Sequence, residues 1–476
     1  MMRAFDSNFI FGGATAAYQA EGAVNIDGRG PCYWDEYLHR PESRYNGDIA
    51  SDFYHKYKED LQLSKDFGVN GIRISIAWTR IIPDGKGEIN LKGIDYYNKL
   101  IDECLKNGIE PFVTLHHFDT PLPLYKEGDW LNRENIEHFV RFARVCFENF
   151  GDRVKKWITI NEPLSLALGQ YVIGHFPPNI RYDIPKSVQA MHNMMVAHSK
   201  VVELYKSMDL KGEIGIVHIL QSKYPISESE EDKRAAYLED ILANRFMLDA
   251  CLGGGYQAET LKVVQDILKA NNGSLEIEPN DMEIIKSAAG KNDFLGVNYY
   301  ASDFLAHYDG ETEIRHNGTG DKGTLVFRIK GIGERVINND IPATDWDWPI
   351  YPKGLYDMLM SIKNDYPKYK TIYVTENGLG YKDNFENGKI YDDERIDYVK
   401  NHMDAILDAI EDGVNVQGYF IWSLMDLLSW TNGFNKRYGL FYVDYDTQDR
   451  YPKKSAYWWK KVSENKKLID SNEIDY

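Results

Sequence analysis

The chain of 476 residues carries 55 lysines and arginines against 73 aspartates and glutamates, a net charge of −18. That excess disfavours nonspecific binding to nucleic acid or anionic membrane, and it repels an anionic ligand at long range, so such a ligand would need local positive charge of its own. With 27% charged and 43% hydrophobic residues, the composition is that of a globular protein and excludes a disordered or membrane-spanning one.

The first residues, Met1 to Asn8, run into folded-looking sequence without the apolar core of a secretory signal. The four cysteines, Cys32, Cys104, Cys146 and Cys251, are too scattered for a CxxC pair or a metal-ligand cluster and read as buried thiols in a reducing compartment. A cytoplasmic location follows as the expectation. From there, short β-branched runs alternate with longer amphipathic ones, the pattern of repeated βα units around a parallel sheet. Strands are predicted at residues 9–14, 71–77, 110–116, 156–160, 213–219, 294–299, 371–375 and 416–422. Helices are predicted at 53–67, 91–106, 133–149, 187–207, 235–251, 354–364, 394–412 and 451–465. Eight such units can close into a (β/α)₈ TIM barrel, with bulky branched side chains inside. No Pro-, Gly- or Ser-rich linker divides the chain, so residues 1–476 read as a single barrel domain. The Gly-rich stretch 301–349 reads as an elaborated loop between strands six and seven.

Polar residues gather where the strands should end, the face on which barrels of this kind build their sites. In chain order these are Gln19, Arg73, His116-His117, Asn161-Glu162, Asn298-Tyr299-Tyr300, Glu376-Asn377 and Trp422. Glu162 and Glu376 each follow a buried run directly. A carboxylate in that position is either a rim ion pair or a desolvated functional group, and two of them can flank a glycosidic bond as nucleophile and acid/base. The loop after the last strand adds Ser429, Trp430, Lys436 and Tyr438. Hydroxyls, an ammonium and indole faces suit a phosphorylated sugar ring.

The motifs Thr159-Ile160-Asn161-Glu162-Pro163 and Tyr373-Val374-Thr375-Glu376-Asn377-Gly378, with the opening Phe9-Ile10-Phe11-Gly12-Gly13-Ala14-Thr15-Ala16-Ala17-Tyr18-Gln19-Ala20-Glu21-Gly22, resemble those of glycoside hydrolase family 1 over almost the whole chain. The resemblance implies a (β/α)₈ barrel and a retaining β-glycosidase that needs no metal or cofactor. It makes Glu162 the general acid/base and Glu376 the nucleophile, and retention would set the carboxyl groups ~5–5.5 Å apart. It puts Gln19, His116 and Asn161 on the sugar hydroxyls and has Arg73, Asn298 and Tyr300 orient the carboxylates, Arg73 and Tyr300 keeping Glu376 ionised. Trp348 would stack on the aglycone, with Trp422 also lining the sugar site.

Where members acting on plain sugars carry Glu before the tryptophan of the last loop, this chain has Ser429. A carboxylate there would lie against a 6-phosphate, and two unit charges ~4 Å apart repel by ~4 kcal/mol at an effective dielectric of ~20. Ser429, Lys436 and Tyr438 resemble the phosphate-binding set of the family's phospho-glycosidases, and Trp430 beside the 4-hydroxyl resembles the galactosidase branch. The expectation is therefore a 6-phospho-β-galactosidase that cleaves phosphorylated lactose, delivered by a phosphorylating transport system, to galactose 6-phosphate and glucose. Its partner would be a small phosphorylated disaccharide, with no nucleic acid or membrane. A 6-phospho-β-glucosidase, an enzyme acting on both epimers, and a catalytically silent sugar-phosphate sensor are the alternatives. The sequence does not speak to oligomeric state.

Overall fold

Eight short apolar segments, buried on both faces, pair in parallel as their near-continuous hydrophobic runs require. They are β1 (Ile10–Ala14), β2 (Gly71–Ser75), β3 (Glu110–His116), β4 (Lys156–Asn161), β5 (Glu213–Ile219), β6 (Phe294–Asn298), β7 (Ile372–Asn377) and β8 (Val416–Trp422). In the computed structural model, which describes residues 3–476, they close in the order β1-β8-β7-β6-β5-β4-β3-β2. This is the (β/α)₈ barrel. Its floor is aromatic where branched aliphatics were expected: the Phe112 ring lies 4.7 Å from Phe420 and 5.0 Å from Tyr373. Gly12 makes room for that floor, because a Cβ there would overlap the Phe420 ring.

The helices form where apolar residues recur at helical spacing. In Leu91–Lys106 the buried stripe is Ile94, Tyr97, Leu100, Ile101 and Cys104; the Asn90 side chain caps the first turn by accepting from the Lys92 amide, and Gly108 at φ +70° lies just beyond the end. The helices at Phe53–Asp66, Glu134–Phe150, Ile184–Ser207, Pro352–Asp365 and Asp393–Glu411 agree with expectation within a few residues. The single helix expected at 235–251 starts earlier, at Glu230, because Ser229 accepts from the Asp232 amide. It also carries a π turn at Ile241–Arg245, where the Asn244 side chain binds both backbone groups of Gln221. Two further helices, Ala258–Ala270 and Asp281–Ala289, lie between β5 and β6. The final helix begins at Lys454, since Arg450–Pro452 pairs instead with Phe441–Val443.

Residues 301–349 are more than a loop. Strands at Asp303–Ala306, Glu313–Arg315, Val326–Ile329 and Gly333–Val336 join Lys223–Pro225 in a separate five-stranded sheet. Its Leu325 and Phe327 line a cavity of ≈ 310 Å³ at the C-terminal end of the barrel. All four cysteines are buried and free. Among the described residues no helix is long and apolar enough to cross a membrane.

Candidate functional site: two carboxylates in an aromatic-lined cavity

Glu162 leaves β4 at φ +42°, ψ +68°, between Asn161 and the proline that begins helix Pro163–Leu168. A left-handed conformation is costly for a non-glycine residue, and such strain persists where the surroundings impose it. Here Pro163 disfavours the right-handed helical alternative. The β4–β5 register slips between Ile158 and Asn161, and the β7 register slips between Val374 and Glu376. Both irregularities sit one or two residues below a glutamate, where a bulge re-aims the side chain into the barrel mouth.

Arg73 on β2 is fully buried and binds residues of three other strands at once, β3, β4 and β7. Its guanidinium pairs with the Glu376 carboxylate and donates to Asn161 Oδ1 at 2.6 Å and to Thr114 Oγ1 at 3.1 Å. The Tyr300 hydroxyl donates to the other Glu376 oxygen at 2.7 Å. The Asn298 amide donates to Glu162 at 2.5 Å and to Asn161 Oδ1 at 3.2 Å, and accepts from Thr375 at 2.7 Å.

Burial raises the pKa of both acids, with different opposition. For Glu162 the repulsion of Glu376 adds to burial, against weaker help from Ser165, Asn298 and Arg73, and the carboxyl titrates at about 7. For Glu376 burial is opposed by the Arg73 charge and by hydrogen bonds from Tyr300, Arg73 and Asn298, so it too is raised. Arg73 and Tyr300, expected to keep Glu376 ionised, offset that burial in part. Of the two, Glu162 is the one favoured to hold a proton, because the repulsion of Glu376 adds to its burial and the ion pair of Arg73 goes to Glu376.

Gln19, Asn161, Tyr300, Trp348, Trp422, Ser429, Trp430, Lys436 and Tyr438 all line the cavity with Glu162 and Glu376. Arg73 and Asn298 lie behind it. Gln19 donates to the Leu428 carbonyl at 2.6 Å, leaving its buried Oε1 without a partner among the described residues. His116 is a correction. It is fully buried outside the pocket, packed edge-on to Trp130 with Nε2 3.0 Å from Thr120 Oγ1, and His117 lines the pocket in its stead. Phe112 and Thr114 point inward, so strict alternation would send His116 inward as well, but the chain turns at the rim and leads to Phe118 at φ +64°. Burial lowers both imidazoles, His116 to about 3, so His117 meets the cavity as a neutral ring. It stacks on Trp422 and comes within 3.4 Å of the Asn161 amide.

The loop after β8 is a tight turn. Ser429 and Gly433 exchange two backbone hydrogen bonds at 2.8 and 2.9 Å, and the Asn432 side chain donates to the Gly318 carbonyl of the long excursion. Trp430 stacks on Trp34 at 4.7 Å and Tyr18 at 5.8 Å. Trp346, His175, His316 and Asn432 line the same cavity. Sequence reasoning singled out none of them as a site residue, since each depends on the excursion or a neighbouring loop folding over the barrel mouth.

The family model described as Glycosyl hydrolase family 1 matches residues 1–468. A protein of Clostridium acetobutylicum named 6-phospho-beta-galactosidase is 66% identical over 475 residues, covering 100% of both chains. One of Leptotrichia buccalis with the same name is 57% identical over 469 residues, covering 98% of this chain and 100% of its own. Among solved structures, the family 1 β-glucosidase of Thermotoga maritima superposes with a TM-score of 0.87 at 37% identity, over 98% of this chain and 100% of that one.

Proposed function

Since the chain belongs to glycosyl hydrolase family 1, we propose that it is a retaining 6-phospho-β-galactosidase that hydrolyses 6-phospho-β-galactosides in the cytoplasm, phosphorylated lactose among them. The observation that carries this reading is the convergence of Ser429, Lys436 and Tyr438 on the cavity that holds Glu162 and Glu376. The names of the two relatives support it.

In the first step the Glu376 carboxylate attacks the anomeric carbon while the Glu162 proton passes to the glycosidic oxygen, whose bond to that carbon breaks. Arg73 and Tyr300 hold Glu376 in line and keep electron density on the attacking oxygen. Once Glu376 is esterified its charge is gone, the repulsion that held the proton on Glu162 falls, and Glu162 becomes a carboxylate. It then removes a proton from water, whose oxygen attacks the same carbon and releases Glu376. Two inversions give retention. Gln19, His117 and Asn161 serve the sugar hydroxyls, and Lys436 supplies the positive charge that a dianion needs in a protein of net charge −18.

Nitrophenyl 6-phospho-β-galactoside assayed beside its gluco and unphosphorylated analogues tests the reading. A clear preference for the galacto phosphate is expected. Equal turnover of the unphosphorylated sugar would overturn the phosphate assignment, and a preference for the gluco epimer would overturn the galactoside assignment.

A further inference from the structure

Lys436 is only 2% exposed, yet among the described residues no hydrogen-bond acceptor and no carboxylate within ion-pair distance reaches its ammonium. Aromatic rings surround it instead. Nζ lies 3.9 Å from the centre of the Trp348 ring, 4.1 Å from Trp346 and 5.4 Å from Tyr438. The stem of the lysine runs over Gly380, where any Cβ would collide with it and with the Tyr438 ring. The two indoles are fixed by their own segment. The amides of Trp346 and Trp348 both donate to Thr344 Oγ1 at 3.2 Å, and the Asp347 carboxylate accepts from the amides of Gly323 at 2.6 Å and Leu325 at 3.1 Å.

We propose that Trp346 and Trp348, with Tyr438, form an aromatic box that holds the Lys436 ammonium at the pocket wall until the substrate's phosphoryl group replaces the rings as its partner, making both indoles determinants of phosphate selectivity. This rests on the phosphate reading above. An ammonium so enclosed without a counter-ion is costly, and the faces of electron-rich rings offset part of that cost. Burial otherwise draws Lys436 well below the usual lysine range, opposed by the charge of the exposed Asp345. The other titratable groups facing this region are Tyr438, the His316 imidazole, lowered to about 4 by burial and the Lys436 charge, and Lys382, 5.7 Å from the Trp346 ring. Two carboxylates line the same cavity without reaching the ammonium: Asp347 is taken by backbone amides and Glu376 pairs with Arg73. Trp348 consequently does two jobs if it also meets the aglycone, since one side of it is already occupied.

The test compares kcat/KM for the 6-phosphogalactoside and for the unphosphorylated galactoside, across pH, in the parent and in Trp346→Leu, Trp346→Phe and Lys436→Ala. Leucine keeps the site dry and removes the ring, so the phosphate preference should fall about tenfold, the equivalent of about 1.4 kcal/mol. The alkaline limb seen with the phosphorylated substrate should move to lower pH. Phenylalanine keeps a weaker ring face and should lie between. If Lys436→Ala retains the preference, the phosphate reading itself falls. If Lys436→Ala loses it while both Trp346 variants keep the parent's ratio and pH profile, the box alone is overturned. Should Trp346→Leu not fold, Trp346→Phe decides: a parental ratio and limb overturn the box, and a shifted limb supports it.

Discussion

In the proposed mechanism Glu162 carries the proton because of where it is rather than what it is. Its carboxyl titrates at about 7 in the folded chain against 4.5 for the ordinary side chain. The kcat/KM profile for an unphosphorylated substrate should therefore lose activity above about pH 7, and Glu162→Gln should abolish that limb along with most turnover of poor leaving groups. The raised pKa also bears on stability. A folded-state pKa above the unfolded one stabilises the fold below about pH 4.5, and that contribution is lost as pH rises through about 7. Glu162→Gln should thus gain up to about 3 kcal/mol over the parent at pH 8, relative to their difference at pH 4, at roughly 1.36 kcal/mol for each tenfold change in proton affinity. Thermal melts at the two pH values measure it, and parallel pH dependences would refute the burial argument. The histidine doublet offers a second check at this scale. His117→Ala should lower kcat/KM about tenfold or more through a lost sugar contact, whereas His116→Ala, against Trp130 and Thr120, should mainly lower the melting temperature. The reverse pattern would return His116 to the site.

At the level of elements, the loop after β8 is anchored by a buried ionic cluster rather than by its own turn alone. Asp426 is inaccessible to solvent and accepts from Arg437 at 2.7 Å, Lys453 at 2.7 Å and the Gly439 amide at 2.9 Å. Lys453 and Arg395 share Asp383 behind it. Both feet of the loop that carries Ser429, Lys436 and Tyr438 are thereby joined through Asp426 to Lys453, the residue just before the last helix. Removing one member of a buried ion pair costs about 3–5 kcal/mol, so Asp426→Asn should melt well below the parent. In the surviving fold it should raise KM for the phosphorylated substrate more than for the plain galactoside. Equal changes in both constants would mean that the cluster supports the barrel generally and not this loop.

For the molecule as a whole, the net charge of −18 repels a dianionic substrate over a range set by the Debye length, ~8 Å at physiological ionic strength and longer at low salt. Raising salt from low to physiological levels should therefore increase kcat/KM for the 6-phosphogalactoside and leave the neutral galactoside nearly unchanged. A fall with salt would show instead that the local charge of Lys436 dominates the approach. The same molecule shows what can be read without coordinates. The eight strands were legible because each is buried on both faces and so spells a nearly unbroken apolar run, and Glu162 and Glu376 were legible because they end such runs.

Chain order and hydrophobic period alone determine the barrel, since a strand or a helix is chosen by residues within a few positions of one another. They place Asn161, Asn298 and Glu376 near one mouth, because strands closed in register bring their ends together, whereas the pairing of Arg73 with Glu376 was an implication of the family resemblance. Closure of the tertiary structure decided the rest. Which of two adjacent histidines enters the pocket depends on a turn at the rim that no local pattern encodes. That Lys436 rests against Trp346 and Trp348 depends on the excursion at 301–349 folding over the barrel, a contact between segments about ninety residues apart in sequence. Such contacts are set by the packing of whole elements, and that is information a one-dimensional pattern does not contain.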